Sequence, residues 1–256
     1  MFVHGNSSSA RVWEPLLSGG FGERFRCLAV DLPGHGESEA AEGADGYSLP
    51  GYAAVLAEFV RRTGAEDAVL VGWSLGGHIV LEAAAELARA AGFVVFGTPP
   101  VSGAGDFGRA FLPNPAVNIG FTDDVDAAGA EAYARSFLAP GSGREIGGLV
   151  ADILGTDGAA RTALFASLGA GRFTDEVGIV GRLDRPLAVL QGEGEQLVSL
   201  EYLRGIAMPT LWRGEVQVVP GSGHAPQIEA TEVFGDLVGR FVEEVTGGRR
   251  VSGTER

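Results

Sequence analysis

Ser74 stands at the centre of Gly72-Trp73-Ser74-Leu75-Gly76, where a short apolar run ends and a helical pattern begins. A serine on so tight a strand-to-helix turn sits on a strained backbone. Its hydroxyl projects above the sheet edge, and the first helical amides point at any negative charge that develops there. A hydroxyl is a weak nucleophile at neutral pH and needs a base. The chain has four histidines. His4 lies beside the first strand, and His35 sits in a turn after the second. His78 is one helical turn beyond Ser74, with its ring along the helix and unable to reach back over the hydroxyl. His224 remains, in Gly221-Ser222-Gly223-His224-Ala225-Pro226 after the last apolar run. From such a loop an imidazole can lean onto the serine.

The base needs an acid to fix its tautomer and stabilise the imidazolium. Behind this kind of turn the order along the chain is serine, acid, histidine. The acid is therefore expected after the strand at 186–191, in Gly192-Glu193-Gly194-Glu195-Gln196. Glu195, three residues past the glycine that ends the strand, is the first candidate, and Glu193 is the fallback. A glutamate where aspartate is commoner asks the loop to accommodate a longer side chain. An oxyanion hole needs two donors. One is expected from the backbone N–H of Leu75, the residue after the nucleophile, and the other from the N–H of Asn6 in His4-Gly5-Asn6. The side-chain amide of Asn6 is also placed to meet a substrate.

These residues need a scaffold that brings distant segments to one edge. Short apolar runs at 1–3, 26–31, 68–72, 92–97, 186–191 and 215–220 read as strands. Helical patterns fall at 49–62, 74–91 and 231–245, giving the α/β rhythm of a mostly parallel sheet wrapped by helices. From 102 to 184 the rhythm breaks. Helices are expected near 128–139 and 147–169, the second interrupted near 155–158, with no strand between them. The expected organisation is a core of 1–101 and 185–246, an inserted helical cap at 102–184, and a flexible tail at 247–256.

Composition narrows the partners. A formal charge of −14 argues against nucleic acid, which needs clustered Lys and Arg, and reads as a solubility feature. The single cysteine, Cys27, allows no internal disulfide and is expected as a buried thiol. Four dispersed histidines without an H-x-H pair give no dinuclear zinc site, so neither metal nor organic cofactor is expected. No stretch resembles a signal peptide, and no apolar run approaches the ~20 residues that span a bilayer. A cytoplasmic location without membrane attachment is the expectation; the oligomeric state is left open.

Together, several strings resemble the α/β-hydrolase superfamily, and within it the bacterial N-acyl-homoserine lactonases of that fold. They are His4-Gly5-Asn6-Ser7-Ser8-Ser9, Asp31-Leu32-Pro33-Gly34-His35-Gly36, Gly72-Trp73-Ser74-Leu75-Gly76-Gly77-His78-Ile79, Gly97-Thr98-Pro99-Pro100-Val101 and Gly223-His224-Ala225-Pro226. In the expected cap, Tyr133-Ala134-Arg135-Ser136 and Thr156-Asp157-Gly158 are similar too. The resemblance implies a Ser74–His224–Glu195 triad acting on a small lactone or ester, with Asn6 and Tyr133 on the substrate. It implies lactone opening without a cofactor. A carboxylesterase of other small esters would use the same residues, and a non-turnover ligand receptor would share the fold. The sequence departs from the pattern at its start. Members usually carry two further strands before the His-Gly loop, whereas this sequence begins inside the strand leading to it, so the opening β-hairpin is expected to be missing or upstream.

Overall fold

The structure is a computed structural model that describes residues 1–247. Six strands form one sheet: β1 (Phe2–Val3), β2 (Ala29–Val30), β3 (Val69–Trp73), β4 (Gly92–Phe96), β5 (Leu187–Gly192) and β6 (Gln217–Val219), in the order β2-β1-β3-β4-β5-β6. Every pairing between these six strands is parallel, so the expected mostly parallel sheet is parallel throughout. β3 and β4 are buried along their whole lengths, which is why they read as unbroken apolar runs and not as alternating ones.

Helices cover the sheet. Leu49–Arg62 starts at Ser48, whose hydroxyl accepts from Gly51 N–H, and carries Pro50 in its first turn. It turns Leu49, Tyr52, Ala53, Leu56, Ala57 and Val60 inward at helical spacing. Thr231–Val245 buries Phe234, Val238 and Phe241, with the Phe234 ring 4.8 Å from that of Phe96 on β4. Both helices keep the limits expected from their periodicity.

The helix expected over 74–91 is shorter. It runs Leu75–Glu82, and the alanine-rich chain after it goes on in single turns. Propensity favours continuing, but the chain must reverse to feed β4, where the Ala91 amide bonds the Ala68 carbonyl at 3.0 Å. β2 is also shorter than expected, because its partner β1 offers only two residues to pair. Cys27, expected buried, is only half-buried, and its thiol donates to the Phe25 carbonyl.

Between β4 and β5 the chain is helical and turned, its one bridge pairing Phe111 with Val198. Its longer helices are Ala127–Ser136, Gly147–Gly155 and Gly158–Gly169. The break between the last two is at Thr156–Asp157. There the Asp157 carboxylate caps Gly158–Gly169 and its N–H reaches the Gly34 carbonyl at 2.9 Å. Of the tail expected at 247–256, residues 248–256 lie outside the described residues.

Candidate active site

Because β2 and β3 flank β1 while the chain runs on to β6, the loops leaving β1 and β3 diverge at a point where the strand order reverses. Ligands of open parallel sheets gather there, outside the carboxyl ends of the strands. Every residue singled out above for catalysis, apart from Tyr133, leaves the sheet on that side: Asn6 after β1, Ser74 and Leu75 after β3, Glu195 after β5 and His224 after β6.

Ser74 has φ 54° and ψ −119°, a conformation L-residues adopt at a cost of about 1–3 kcal/mol. The neighbours enforce it. The Ser74 amide donates to the Phe96 carbonyl at 2.9 Å, and its own carbonyl accepts from Gly77 N–H and the Thr98 hydroxyl, each at 2.9 Å. Gly76 must lack a side chain, since a Cβ there would run into the Val3 and His4 carbonyls. The helix Leu75–Glu82 therefore starts directly against the strand, its N-terminus beneath the serine. Among the described residues the backbone amides of Leu75 and Asn6 make no hydrogen bond, leaving both donors free.

The imidazole of His224 is buried, and its Nδ1 donates to Glu195 Oε2 at 2.8 Å, both side chains being 3% exposed. Glu195 Oε1 accepts from Leu197 N–H at 2.7 Å, which fixes the carboxylate. Nε2 of His224 is buried without a partner. The ring lies against Gly97, whose φ of +60° and missing side chain make room for it: a Cβ there would be 2.5 Å from Cε1 and 3.1 Å from Nε2. Gly97 follows the Phe96 carbonyl that holds the Ser74 amide, so imidazole and serine share the end of β4. Glu193, the fallback acid, instead accepts from Gly221 N–H at 3.1 Å and is exposed.

The remaining histidines are occupied elsewhere. His4 donates through Nδ1 to the Gly5 carbonyl and accepts through Nε2 from Leu32 N–H; burial pushes its pKa down. His35 donates to the Pro33 carbonyl, and burial together with neighbouring His4 lowers it to about 3. His78 donates to Glu176, which is itself fully buried and also takes the Val101 amide.

The helical segment between β4 and β5 reaches the loop after β1 at Asn6. Asn6 Nδ2 donates to the Gly120 carbonyl at 2.6 Å. Tyr133 Oη stands at the same glycine, where a Cβ would meet both Oη and Asn6 Nδ2. Tyr133 is buried, which holds its hydroxyl protonated well above the usual phenol range. Its Oη makes no hydrogen bond among the described residues.

The matched span extends over nearly the whole chain: the model of the alpha/beta hydrolase family covers residues 1–237. The chain belongs to the alpha/beta hydrolase family. The hydrolase resembles solved structures of the N-acyl homoserine lactonase AidH. For the complex with N-butanoyl homoserine the identity is 36%, with a TM-score of 0.91 over 96% of this chain and 88% of that one. The esterase RhEst1 from Rhodococcus sp. ECU1013 is 26% identical with a TM-score of 0.80, covering 95% of this chain and 90% of its own. The pimeloyl-acyl-carrier-protein methyl ester esterase of Methylococcus capsulatus is 31% identical over 94% of this hydrolase and 93% of its own length.

Several residues that hold the site give no sign in the sequence. Trp73, the variable position before the serine, donates its indole N–H to the His224 carbonyl at 2.8 Å. Residues 137–139 are stitched to both loops. The Phe137 carbonyl takes the Ala225 amide at 2.8 Å, the Leu138 carbonyl takes Gln196 Nε2 at 2.7 Å, and the Ala139 amide reaches Glu229. Glu229 also accepts from Gly223 N–H at 2.6 Å. Only the glutamate, six residues after Gly223, lies near enough in sequence to have been guessed.

Proposed function

We propose that this hydrolase opens the ring of N-acyl-homoserine lactones through a Ser74–His224–Glu195 triad. The observation that carries the triad is the buried His224, with Nδ1 tied to Glu195 and Nε2 left unpaired at the end of β4, beside the strained Ser74. The lactone as substrate is supported by the chain-long likeness to the lactonase AidH and by the meeting of Asn6 and Tyr133 at Gly120. In this reading residues 102–184 are a lid over a core of 1–101 and 185–246.

Ser74 Oγ attacks the lactone carbonyl while His224 Nε2 takes its proton, and Glu195 stabilises the imidazolium. The carbonyl oxygen becomes an oxyanion received by the Leu75 and Asn6 amides, an arrangement in which each donor is worth about 2.7–4 kcal/mol. Collapse breaks the ring C–O bond, and His224 gives the proton to the departing alkoxide, which stays attached to the acyl group now esterified to Ser74. Water, deprotonated by His224, attacks that ester and releases an N-acyl-homoserine and free Ser74. Tyr133 Oη, protonated across the physiological range, donates to the amide or lactone oxygen of the substrate.

A carboxylesterase acting on linear esters is the second reading, favoured by the likeness to the methyl ester esterase. The test is proton release during turnover of acyl-homoserine lactones and of p-nitrophenyl esters by wild type and Ser74→Ala. Lactone opening that disappears in Ser74→Ala is expected. Ester turnover with no lactone opening would replace the first reading by the second. Ligand binding without turnover of either would point to a receptor.

A further inference from the structure

Outside the triad, one buried carboxylate of the helical segment reaches across to the loop that follows β1. Asp152, on helix Gly147–Gly155 and 7% exposed, accepts the Ser9 hydroxyl on Oδ2 at 2.8 Å and pairs through Oδ1 with the Arg11 guanidinium. Ser9 is itself buried, at 1% exposure, and its oxygen caps the turn Ala10–Trp13 by accepting from Arg11 N–H. Two residues earlier, Ser7 has φ +55°. Ser7 and Ser74 are thus both residues other than glycine held in the left-handed region, and they lie on the two loops from which the oxyanion donors are drawn. Strain of about 1–3 kcal/mol persists only where the surroundings over-determine it. At Ser7 the surroundings come from two sides. The core supplies Asp31, whose carboxylate takes the Ala10 amide at 2.6 Å. The helical segment supplies Gly120 on the Asn6 side chain and Asp152 on Ser9.

The geometry points to Asp152 as a positioning residue: acting through Ser9, it holds the strained turn at Ser7 so that the Asn6 amide faces the oxyanion. This rests on the serine mechanism above and adds to it that half of the oxyanion hole is assembled by the helical segment. An amide aimed by a distant carboxylate in this way contributes in the transition state and not in ground-state binding. Its loss therefore lowers kcat and leaves KM. Misplacement by about 1 Å costs on the order of a hundredfold in rate.

The experiment compares wild type, Ser9→Ala, Asp152→Ala, Asp152→Asn and the Ser9→Ala/Asp152→Ala pair. Each is followed by the rate of covalent labelling with a fluorophosphonate, by kcat and KM on a p-nitrophenyl ester, and by thermal melting. Labelling reads the oxyanion hole whatever the natural substrate is. Ser9→Ala and Asp152→Ala are each expected to label about 10- to 100-fold more slowly with KM within about threefold. The double variant should be no slower than the slower single one, because both remove the same link. Asp152→Asn keeps an acceptor for Ser9 and should recover much of the rate. If Asp152→Ala fails to fold, Ser9→Ala, which removes one oxygen atom, carries the comparison with Asp152→Asn. Single variants that label like wild type, or losses that multiply in the double variant, overturn the inference and leave the triad standing. Wild type that does not label at Ser74 overturns the serine mechanism and this inference with it.

Discussion

At the scale of single residues, the choice between two glutamates two positions apart decides the chemistry. Glu195 meets His224 Nδ1 while Glu193 props the turn at Gly221, and the difference is one of loop geometry. Glu195→Gln keeps an acceptor but removes the charge that stabilises the imidazolium, and is expected to lower kcat by about 10²- to 10⁴-fold. Glu193→Gln should stay within about twofold of wild type, since it touches a solvated turn. Steady-state kinetics of the two variants decide the matter; the reverse ranking would reassign the acid. The pairing of Glu195 with His224 near the strained Ser74 was legible because the residue types, spacing and chain order that a serine nucleophile would need single these positions out. Trp73 was not. Its indole N–H seeks a carbonyl 151 residues away, and no local pattern encodes a partner at that distance. Trp73→Phe leaves the buried His224 carbonyl unpaired, and a loss of about 1–3 kcal/mol in urea unfolding is expected.

Among elements, periodicity told where helices begin better than where they stop. Leu49–Arg62 and Thr231–Val245 end where their apolar faces end, so the pattern carries both limits. The helix after Ser74 stops at Glu82 because tertiary pairing of Ala91 with Ala68 claims the chain, and alanines give no warning of it. The helix Leu75–Glu82 is in turn pinned to the β4 loop by Glu176, which takes both His78 Nδ1–H and Val101 N–H. Glu176→Ala leaves the buried Val101 N–H and the part-buried His78 Nδ1–H without their acceptor, costing about 1–3 kcal/mol. Equilibrium unfolding should register this as a lowered urea midpoint with the slope unchanged. A midpoint equal to that of wild type would mean that the helix owes its placement to packing alone.

The whole molecule carries a pH dependence set by two buried histidines, His35 and His4. His35 is held neutral down to about pH 3, and burial lowers His4 as well. An unfolded histidine titrates near 6.5, so below that pH the unfolded chain binds more protons than the folded one. Stability is therefore full above about pH 6.5 and falls as the pH drops toward 3, by up to about 1.4 kcal/mol per pH unit for His35, with His4 acting in the same direction. Urea unfolding at pH 7.5, 6.5 and 5.5, a range above most carboxylate titration, should show the decline. His35→Gln should flatten it, and an identical slope in that variant would remove His35 from the account. The fold as a whole was readable because an all-parallel sheet buried on both faces leaves so plain a trace of short apolar runs between helices.

The stitching of residues 137–139 to the loops of Glu195 and His224 limits how a ligand gets in. Any swing that lifted this stretch would drag the Ala225 amide and Gln196 along and pull on the contact between the His224 imidazole and the Glu195 carboxylate. Under the proposed mechanism a ligand is expected to enter past the turn Pro115–Phe121, whose tie across to Asn6 is a single bond to the Gly120 carbonyl. On that reading an entrance opening at residues 115–121 leaves the His224–Glu195 contact in place, because among the described residues no hydrogen bond ties that turn to either loop.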